Sequence, residues 1–457
     1  MPDPTDGAEV DPAYDDFLEA DDEEFEDADD ADDVDAMSGE PALGDSVDEG
    51  SPDAVTRALQ PGAPLLLLHR GHQYSKVLPI VLRDLTSRHG GALHVGVVSS
   101  VPRTSPSGLK KFMTACETAP IRIADPEGFA RDDSFGPAMM AQRGDKPFVG
   151  MSLQVQWPYF TRPQPAGYTA DWVEETLDVQ RTAGATVLLT PGVWADPAAP
   201  QVSLDVMRQH AQWAKPLVAP DEHLAVNVTI PSSWLTNTVL LTRLLDEIVD
   251  MQEEVFYIRV RWPLMAQPYG QLIDGKILDG YVEMANTFED NDKTLLLPNT
   301  SLTGWTALAW GAHGFSTGIG SGERAFADTR LIRMRRTGPR PEPVTRIFST
   351  PVLQTTDTST AARLESLPGL APCACRFCVA LRRLPAGRHD KELAGGHYLR
   401  TVGDLTAEVA THRRGLRAGV RNVVRAAERT AATSSAAVPL IQANEPRHLS
   451  LWAERLR

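Results

Sequence analysis

The stretch Leu224–Arg261, LAVNVTIPSSWLTNTVLLTRLLDEIVDMQEEVFYIRVR, carries one complete strand–helix–strand pattern. Its two ends, Leu224–Ile230 and Val255–Arg261, are short and rich in β-branched residues, which favours buried strands. Between them, Thr236–Met251 repeats apolar residues at helical spacing. Two such strands joined by a helix predict a βαβ unit with parallel strands.

The same alternation continues along most of the chain. Six more strand-sized runs are Pro64–His69, Leu93–Ser99, Ile121–Ala124, Thr186–Thr190, Thr294–Leu297 and Gly314–Gly318. Helical spacing follows most of them, as in Ala170–Ala183, Leu204–Ala214 and Gln271–Phe288. Eight strands with no block of strands alone predict an α/β fold, a closed (β/α)8 TIM barrel over residues 62–330. An open doubly wound sheet is the alternative.

Composition bounds the class of protein. The chain has 457 residues, 42% of them hydrophobic, enough for one large barrel and an appendage. Four cysteines argue against a secreted disulfide framework and favour a reducing compartment. The N-terminus lacks the pattern of a signal peptide, and no apolar run is long enough to span a membrane. We therefore expect a cytoplasmic protein with no membrane partner.

The first 56 residues differ from the rest. They hold 23 Asp or Glu and no Lys or Arg, whereas the remaining chain holds 44 basic and 38 acidic residues. Such a segment cannot bury enough apolar surface to offset its ordering entropy, so residues 1–56 are predicted to be a disordered acidic tail. It either solubilises the chain or mimics nucleic acid and screens a basic surface.

Two connections are unusually long. The Gly-, Pro- and Gln-rich segment between Asp125 and Ala170 follows the third strand and is expected to cover the mouth of the barrel. The second, Glu323–Pro372, follows the eighth strand. We divide the remainder into an arginine-rich zinc-binding appendage with a closing helix, residues 331–430, and a linker with a short C-terminal element, residues 431–457. The linker is the small polar run Ala431–Ala437.

Three of the four cysteines lie within six positions, in Pro372–Cys378, PCACRFC. A tight CxCxxC segment can bring the thiolates of Cys373, Cys375 and Cys378 to one tetrahedral zinc ion. The fourth ligand should follow, and His397 is the best placed, ahead of His389 and His412. A structural Zn²⁺ site is the leading interpretation, a redox cluster the main competitor, and three unligated thiols the third.

Arginines recur every four residues near the C-terminus. Arg413, Arg417, Arg421, Arg425 and Arg429 are expected on one face of a helix, where they suit a phosphate backbone. Arg414 and a second group, Arg330, Arg333, Arg335, Arg336 and Arg340, add to this charge. A solvated helix face is the plainer interpretation.

Further candidates fall at predicted strand ends. The glycine-rich stretch Gly314–Arg324 can cradle a phosphate through its backbone amides, with Gly318, Gly320 and Arg324 as substrate-binding candidates. Asp125 and Glu127 follow the third strand and are acid/base candidates, although Asp–Pro also commonly forms turns.

Together these features resemble the tRNA-guanine transglycosylase family, including its relatives that insert 7-deazaguanine bases into DNA. The resemblance covers roughly residues 62–430. It rests on CxCxxC at Cys373–Cys378 with His397-Tyr398-Leu399 in place of the family's HNL. It rests also on Asp125-Pro-Glu-Gly-Phe129, which matches D-x-x-G-F in the family's TDSGGFQ stretch. The resemblance implies a barrel with a structural zinc, base exchange in tRNA or DNA, and Asp125 as the acid/base.

The chain also departs from the family pattern. Ser316 stands where the family has its nucleophilic aspartate, and neither the base-recognising FDE nor the GGLAVG loop has a match. LLTPGVWADP offers only Asp196 in the place of FDE. Glu323, seven residues beyond Ser316, is the candidate carboxylate to replace the nucleophile. Whether the protein still exchanges bases, and whether it forms homo- or hetero-oligomers, stays open.

Two other functions stay open as well. One is a catalytically inactive zinc-containing barrel that binds nucleic acid or a partner subunit. The other is a barrel enzyme for a small phosphorylated substrate, with site candidates His69, Arg70, His72, Arg259 and Arg261.

Overall fold

The structure, a computed structural model, describes residues 52–71, 76–131, 157–161, 168–263, 270–327, 346–384 and 390–457. Nine strands of one sheet lie in the described chain: β1 Leu65–Arg70, β2 His94–Ser100, β3 Arg122–Asp125, β4 Val187–Leu189, β5 Val193–Trp194, β6 His223–Pro231, β7 Val255–Arg261, β8 Thr294–Leu297 and β9 Gly314–Gly318. All eight predicted strands are present within two residues of their expected bounds. The two-residue β5 is additional.

The strands form a ring that is nearly closed. Their order is β3-β2-β1-β9-β8-β7-β6-β4, every pair is parallel, and β5 lies beside β6. At the remaining seam the Thr186 backbone N–H donates to the Arg122 carbonyl over 2.9 Å, and the Arg122 N–H donates to Thr186 Oγ1 over 2.8 Å. The sheet is therefore an eight-position barrel, and the open doubly wound alternative is wrong.

Helices connect the strands and cover the outside of the ring. Those of the described chain up to β9 are Pro52–Leu59, Val77–His89, Pro106–Ala115, Pro158–Thr161, Ala170–Ala183, Pro200–Ala214, Ser233–Thr236, Thr238–Asp250, Gly275–Asp290 and Ser301–Ala307. Beyond β9 follow Ser321–Arg324, Thr358–Glu365, Arg376–Arg383, Lys391–Ala410, Leu416–Ser434 and His448–Arg455, with the antiparallel strands β10 Arg346–Ser349 and β11 Gln354–Asp357.

The barrel interior is apolar at one end and polar at the other. Leu65, Leu67, Ile123, Leu189 and Ala225 belong to one fully buried cluster near the N-terminal ends of the strands. Burying a Leu or Ile side chain contributes about 1.5–3 kcal/mol, so this layer is a packed core rather than a pore. Further along the same strands the inward positions become polar, which places the candidate site at the C-terminal ends.

Residues 52–59 correct the predicted boundary of the acidic tail. They form the helix Pro52–Leu59, and its Val55, Ala58 and Leu59 pack into the interior cluster of the barrel. The Ala58 carbonyl accepts a hydrogen bond from His313 Nε2 over 2.7 Å. The sequence does carry a signal for this helix, apolar residues at helical spacing after a proline, and the predicted boundary missed it. Residues 1–51 lie outside the described chain.

The helix Lys391–Ala410 packs on the outside of the barrel. Gly403 leaves no room for a side chain, because a Cβ there would lie 2.4 Å from Leu85 of the helix Val77–His89. Arg400 pairs with Asp84 over 3.0 Å, and Arg88 with Asp404. Gly395 and Gly396, just before His397, lie inside the same helix, where they allow close packing against Ile319 and Phe377.

The predicted closing helix of the appendage is two helices. Gly415, with φ at +83°, separates Lys391–Ala410 from Leu416–Ser434. Arg413 therefore lies in the connecting turn, which corrects its assignment to the arginine face of the helix. The predicted linker Ala431–Ala437 is wrong in its first half, because the helix continues to Ser434.

The C-terminal element returns to the barrel. Trp452 is fully buried, and its indole N–H donates to the Leu272 carbonyl over 3.0 Å. Arg455 pairs with Asp279 on the helix Gly275–Asp290. Residues 448–455 therefore pack against the barrel helices.

Within the described chain, no helix combines the length and apolar character needed to cross a bilayer.

The helix Pro52–Leu59 supplies a stability test. We expect Leu59→Ala to lower the free energy of unfolding by about 2–4 kcal/mol, because it leaves a cavity at the base of the barrel. Arg57→Ala, on the exposed face of the same helix, is the matched control and should change it by less than about 0.5 kcal/mol. Denaturant unfolding measures both; equal effects of the two substitutions would contradict this packing.

Candidate functional site

The turn after β3 is built tightly around Asp125. Asp125 Oδ1 accepts a hydrogen bond from the Glu127 backbone N–H over 3.0 Å, and Glu127 has a φ of +47°. The Gly128 N–H donates to the Pro191 carbonyl over 2.9 Å, and a Cβ at Gly128 would lie 2.3 Å from that oxygen. A left-handed non-glycine residue costs about 1–3 kcal/mol and persists only where the surrounding structure holds it. DPEGF is therefore a constrained turn at the barrel mouth.

Asp125 forms a buried ion pair across the barrel. Its Oδ2 accepts hydrogen bonds from Arg259 Nη2 and from the Tyr257 hydroxyl, the latter over 3.1 Å. Asp125 is fully buried, and Arg259 is 2% exposed. Burial, with the charge of Asp125, raises the pKa of Tyr257, so the phenol stays a donor. Although burial alone lowers the pKa of Arg259, the Asp125 carboxylate raises it overall, so the guanidinium stays charged.

The Arg259 guanidinium is held on its other sides too. Its Nε donates to Asn299 Oδ1 over 3.1 Å, and its Cζ lies 4.9 Å from the Phe129 ring centroid and 5.8 Å from that of Phe326. Cation–π contacts in a desolvated setting contribute about 2 kcal/mol. Arg259 therefore joins the β3 turn to the loop after β8.

Ser316 belongs to the same network. Its Oγ accepts a hydrogen bond from the Asn299 backbone N–H over 2.7 Å and lies 3.4 Å from His69 Nδ1. Burial lowers the pKa of His69 to about 3, so the imidazole is neutral near pH 7. The structure thus brings Asp125 and Ser316 together, linked through Arg259 and Asn299.

Glu323 lies beside the glycine-rich loop. A Cβ at Gly318 would lie 2.4 Å from Glu323 Cβ, and one at Gly320 would lie 2.3 Å from Glu323 Oε2. The Glu323 side chain therefore occupies the space over these glycines. Arg324 is 6% exposed, donates from Nε to the Gly318 carbonyl over 3.0 Å and stacks 3.7 Å from the Tyr398 ring centroid. Its guanidinium packs against protein groups instead of facing solvent.

A second ion pair lies at the rim. Arg103 Nε donates to Glu127 Oε2 over 3.1 Å, and the Arg103 side chain is 44% exposed. The pKa of Arg103 is raised by Glu127 first and by Glu323 to a smaller extent. Glu127 and Glu323 therefore both act on a cation at the barrel mouth.

The three clustered cysteines meet His397 after β9. Their Sγ atoms lie 3.7 Å (Cys373), 3.5 Å (Cys375) and 3.1 Å (Cys378) from His397 Nδ1, and all four ligand atoms lie within 4.8 Å of one another. Cys375 also caps the helix Arg376–Arg383 by accepting from the Cys378 N–H over 3.3 Å.

His397 is oriented for a metal. Its Nε2–H donates to the Phe348 carbonyl on β10 over 2.8 Å, which fixes the tautomer and leaves Nδ1 facing the thiols. Three thiolates and one imidazole at this separation fit tetrahedral Zn²⁺, whose bonds are about 2.3 Å to sulfur and about 2.0 Å to nitrogen. This Cys3His cluster could hold a metal ion, consistent with zinc.

The Cys3His cluster is connected to the barrel mouth through the next residue. The Tyr398 hydroxyl is hydrogen-bonded to Thr317 Oγ1 over 2.7 Å and to Ser301 Oγ. Thr317 follows Ser316 on β9, and Ser301 lies just past Asn299. A displacement of the helix Lys391–Ala410 would therefore also displace the backbone that positions Ser316 and Asn299.

The arginine face lies on the helix Leu416–Ser434. Arg417 and Arg429 are exposed, and Arg421 and Arg425 are half-buried. None of the four has an acidic partner within 4.0 Å in the described chain. Of the other arginines, Arg413 is exposed in the turn before this helix. The group from Arg330 to Arg340 lies outside the described residues, as does His389.

The remaining sequence candidates lie on both faces of their strands. His69 and Arg259 lie in the buried network, and Arg261, on the same face of β7 as Arg259, lies 5.9 Å from the Trp194 ring centroid. Arg70 donates to the Gly108 carbonyl over 3.4 Å. His72 is outside the described residues, and so is most of the long connection after β3.

Tyr257, Asn299 and Tyr398 were missed by the sequence reasoning. For Tyr257 a signal existed, since alternation in VFYIRVR places it on the same face as Arg259.

No family model, no curated protein and no solved structure matches this chain.

The Cys3His cluster predicts a measurable metal content. We expect metal analysis to find one zinc ion per chain and Cys375→Ala to lose most of it, because a tetrahedral site needs all four ligands. Cys116→Ala is the matched control, since Cys116 is buried but remote from the cluster. Unchanged zinc in Cys375→Ala, or none in the wild type, would refute the site.

Buried histidines predict the dependence of stability on pH. Burial lowers the pKa of His69, His210 and His448 from 6.5 to about 3. Between pH 6.5 and about pH 3 the unfolded chain therefore binds more protons than the folded chain. The free energy of unfolding is highest above about pH 6.5 and falls as the pH is lowered towards about 3. We expect His210→Phe to reduce the slope by up to about 1.4 kcal/mol per pH unit. Urea unfolding at several pH values tests this; an unchanged slope below pH 6.5 would contradict it.

Proposed function

We propose that this chain is a divergent tRNA-guanine transglycosylase-like protein, which exchanges guanine for a 7-deazaguanine base in tRNA or DNA. One observation carries the proposal. The Cys3His cluster is joined through Tyr398 to β9, the strand that holds Ser316, and Ser316 shares a buried network with Asp125. The Cys3His cluster and the two positions expected from the resemblance thus belong to one connected arrangement.

The exchange needs a nucleophile and an acid/base. In the first step a carboxylate oxygen attacks C1′ of the nucleoside, the glycosidic bond breaks, and its electron pair leaves with guanine, which takes a proton from the acid. In the second step the incoming base loses a proton to the same group, and its nitrogen attacks C1′ and displaces the carboxylate. No net oxidation occurs, and atoms balance.

Asp125 is the acid/base in this proposal, and Glu323 is the better nucleophile of the two candidates. A carboxylate stabilises an oxocarbenium-like centre, whereas a serine hydroxyl does so poorly. The Ser316 oxygen already accepts a hydrogen bond from the Asn299 N–H. Ser316 therefore acts as a positioning residue, which holds Asn299 and through it Arg259.

The arginine face supports a nucleic acid as the substrate. Arg417, Arg421, Arg425 and Arg429 repeat along the helix Leu416–Ser434 without acidic partners in the described chain. Such a face binds phosphates by charge rather than by sequence, which suits either tRNA or DNA.

The barrel mouth also bears on the two alternatives. An inactive binding protein would be expected to have an apolar plug where the substrate enters. Asp125, Arg259, His69 and Asn299 make the inner end polar, but Phe129, Trp194 and Phe326 form an aromatic cluster beside Arg259, so this alternative stays open. A small phosphorylated substrate would need a free cation at the glycine-rich loop, and Arg324 stacks on Tyr398 instead.

Base exchange is tested directly. The zinc-replete protein is incubated with tRNA or DNA and labelled guanine or a labelled 7-deazaguanine, and incorporation into the nucleic acid is counted. We expect Asp125→Asn to lower incorporation by about 10²-fold or more, since it removes the acid/base. Glu117→Gln, an exposed carboxylate on the outside of the barrel, is the control and should have no effect.

Denaturing gels identify the nucleophile. A covalent protein–nucleic acid adduct should persist in Ser316→Ala and disappear in Glu323→Gln. If neither tRNA nor DNA shows incorporation or a covalent adduct, the enzymatic proposal is refuted.

A further inference from the structure

Within the described chain, two buried polar side chains that face the barrel interior lack a hydrogen-bond partner. Asn227 is 1% exposed, and neither its Oδ1 nor its Nδ2 has a hydrogen-bond partner among the described residues. Ser100 is 5% exposed, and its hydroxyl also has no hydrogen-bond partner among the described residues. Buried polar groups in folded proteins are usually satisfied, so each such group needs an explanation.

Both side chains lie next to the Asp125 network. Asn227 on β6 is the register partner of Tyr257 on β7, whose hydroxyl donates to Asp125. Ser100 on β2 is the register partner of Asp125 itself. Because inward positions alternate along a strand, Asn227 faces the interior with Ala225, one step closer to the C-terminal end. The unsatisfied atoms therefore lie where the interior turns from apolar to polar.

The wall beside Asn227 is shaped by glycine. Gly192 has a φ of +88°, and a Cβ there would lie 2.8 Å from Asn227 Nδ2. Any larger residue at this position would press on the carboxamide. The backbone of Gly192 thus approaches the Asn227 side chain closely without forming a hydrogen bond to it. The donor and the acceptor of the carboxamide are left for a ligand that enters the barrel.

The chemistry of the unsatisfied groups is specific. A carboxamide presents a donor and an acceptor side by side in one plane, the pattern that pairs with the edge of a nucleobase. Asp125 is less suited to that task, because its oxygens already accept from Arg259, Tyr257 and the Glu127 N–H. Arg259 is similarly committed to Asp125 and Asn299.

We propose that Asn227, together with the Ser100 hydroxyl, recognises the edge of the nucleobase that enters the barrel. This inference rests on the proposed function, since it assigns the base-recognition groups of that site. It places specificity on β6 and β2, at positions that the sequence analysis did not single out.

The test uses the free base, so that it is separate from exchange. The full-length zinc-loaded protein is titrated calorimetrically with guanine, with adenine and uracil as comparison probes. We expect guanine to bind the wild type and Asn227→Leu to weaken this binding at least tenfold. Asn227→Leu should keep its zinc and melt no lower than the wild type, because leucine removes an unsatisfied buried amide.

His210→Phe is the matched control. His210 is another fully buried side chain whose polar atoms are unsatisfied within the described chain, but it lies outside the ring among Tyr168, Trp172 and Trp213. Its substitution should leave guanine binding unchanged.

Other outcomes overturn the inference. Wild-type affinity in Asn227→Leu, or a folded wild type that binds no guanine or prefers adenine or uracil, shows that Asn227 and Ser100 do not recognise this base. If exchange is then still detected with tRNA or DNA, the proposed function survives without this site. Guanine binding that depends on Asn227, without exchange, keeps the site and removes the reaction.

Discussion

The buried pair between Asp125 and Arg259 is the interaction on which the barrel mouth depends. It spans the interior from β3 to β7, and each partner is held by further hydrogen bonds, from Tyr257 and the Glu127 N–H on one side and to Asn299 on the other. Removing one member of a buried pair costs about 3–5 kcal/mol, because the other charge stays desolvated. The pair therefore ties the geometry of the mouth to the stability of the fold.

The Cys3His cluster supports the same region from outside the ring. Its cysteines precede the helix Lys391–Ala410, and Tyr398 of that helix bonds Thr317 and Ser301 at the strand ends. Ion pairs with the helix Val77–His89 fix the helix Lys391–Ala410 against the barrel on another side. A metal at the cluster would thus hold the backbone of β9 in place, although it lies away from the interior polar groups.

Much of this was predictable because its signals are local. Alternating strands and helices predicted the barrel, and the spacing of Cys373, Cys375 and Cys378 predicted the metal cluster, with His397 correctly preferred over two other histidines. The errors came where local pattern was ambiguous. The helix Pro52–Leu59 was hidden at the edge of an acidic run, and Gly415 divides what looked like one helix.

The sequence by itself determined the order of strands and helices, the ligand set of the candidate metal centre and the position of Asp125 at a strand end. These follow from periodicity and spacing, which act over a few residues. Only the tertiary structure decided that Asp125 is paired with Arg259, that Ser316 is bonded to Asn299, and that the Asn227 side chain has no hydrogen-bond partner among the described residues. These contacts join residues far apart in the chain, up to 134 positions for the ion pair, and depend on which strands the nearly closed ring places side by side.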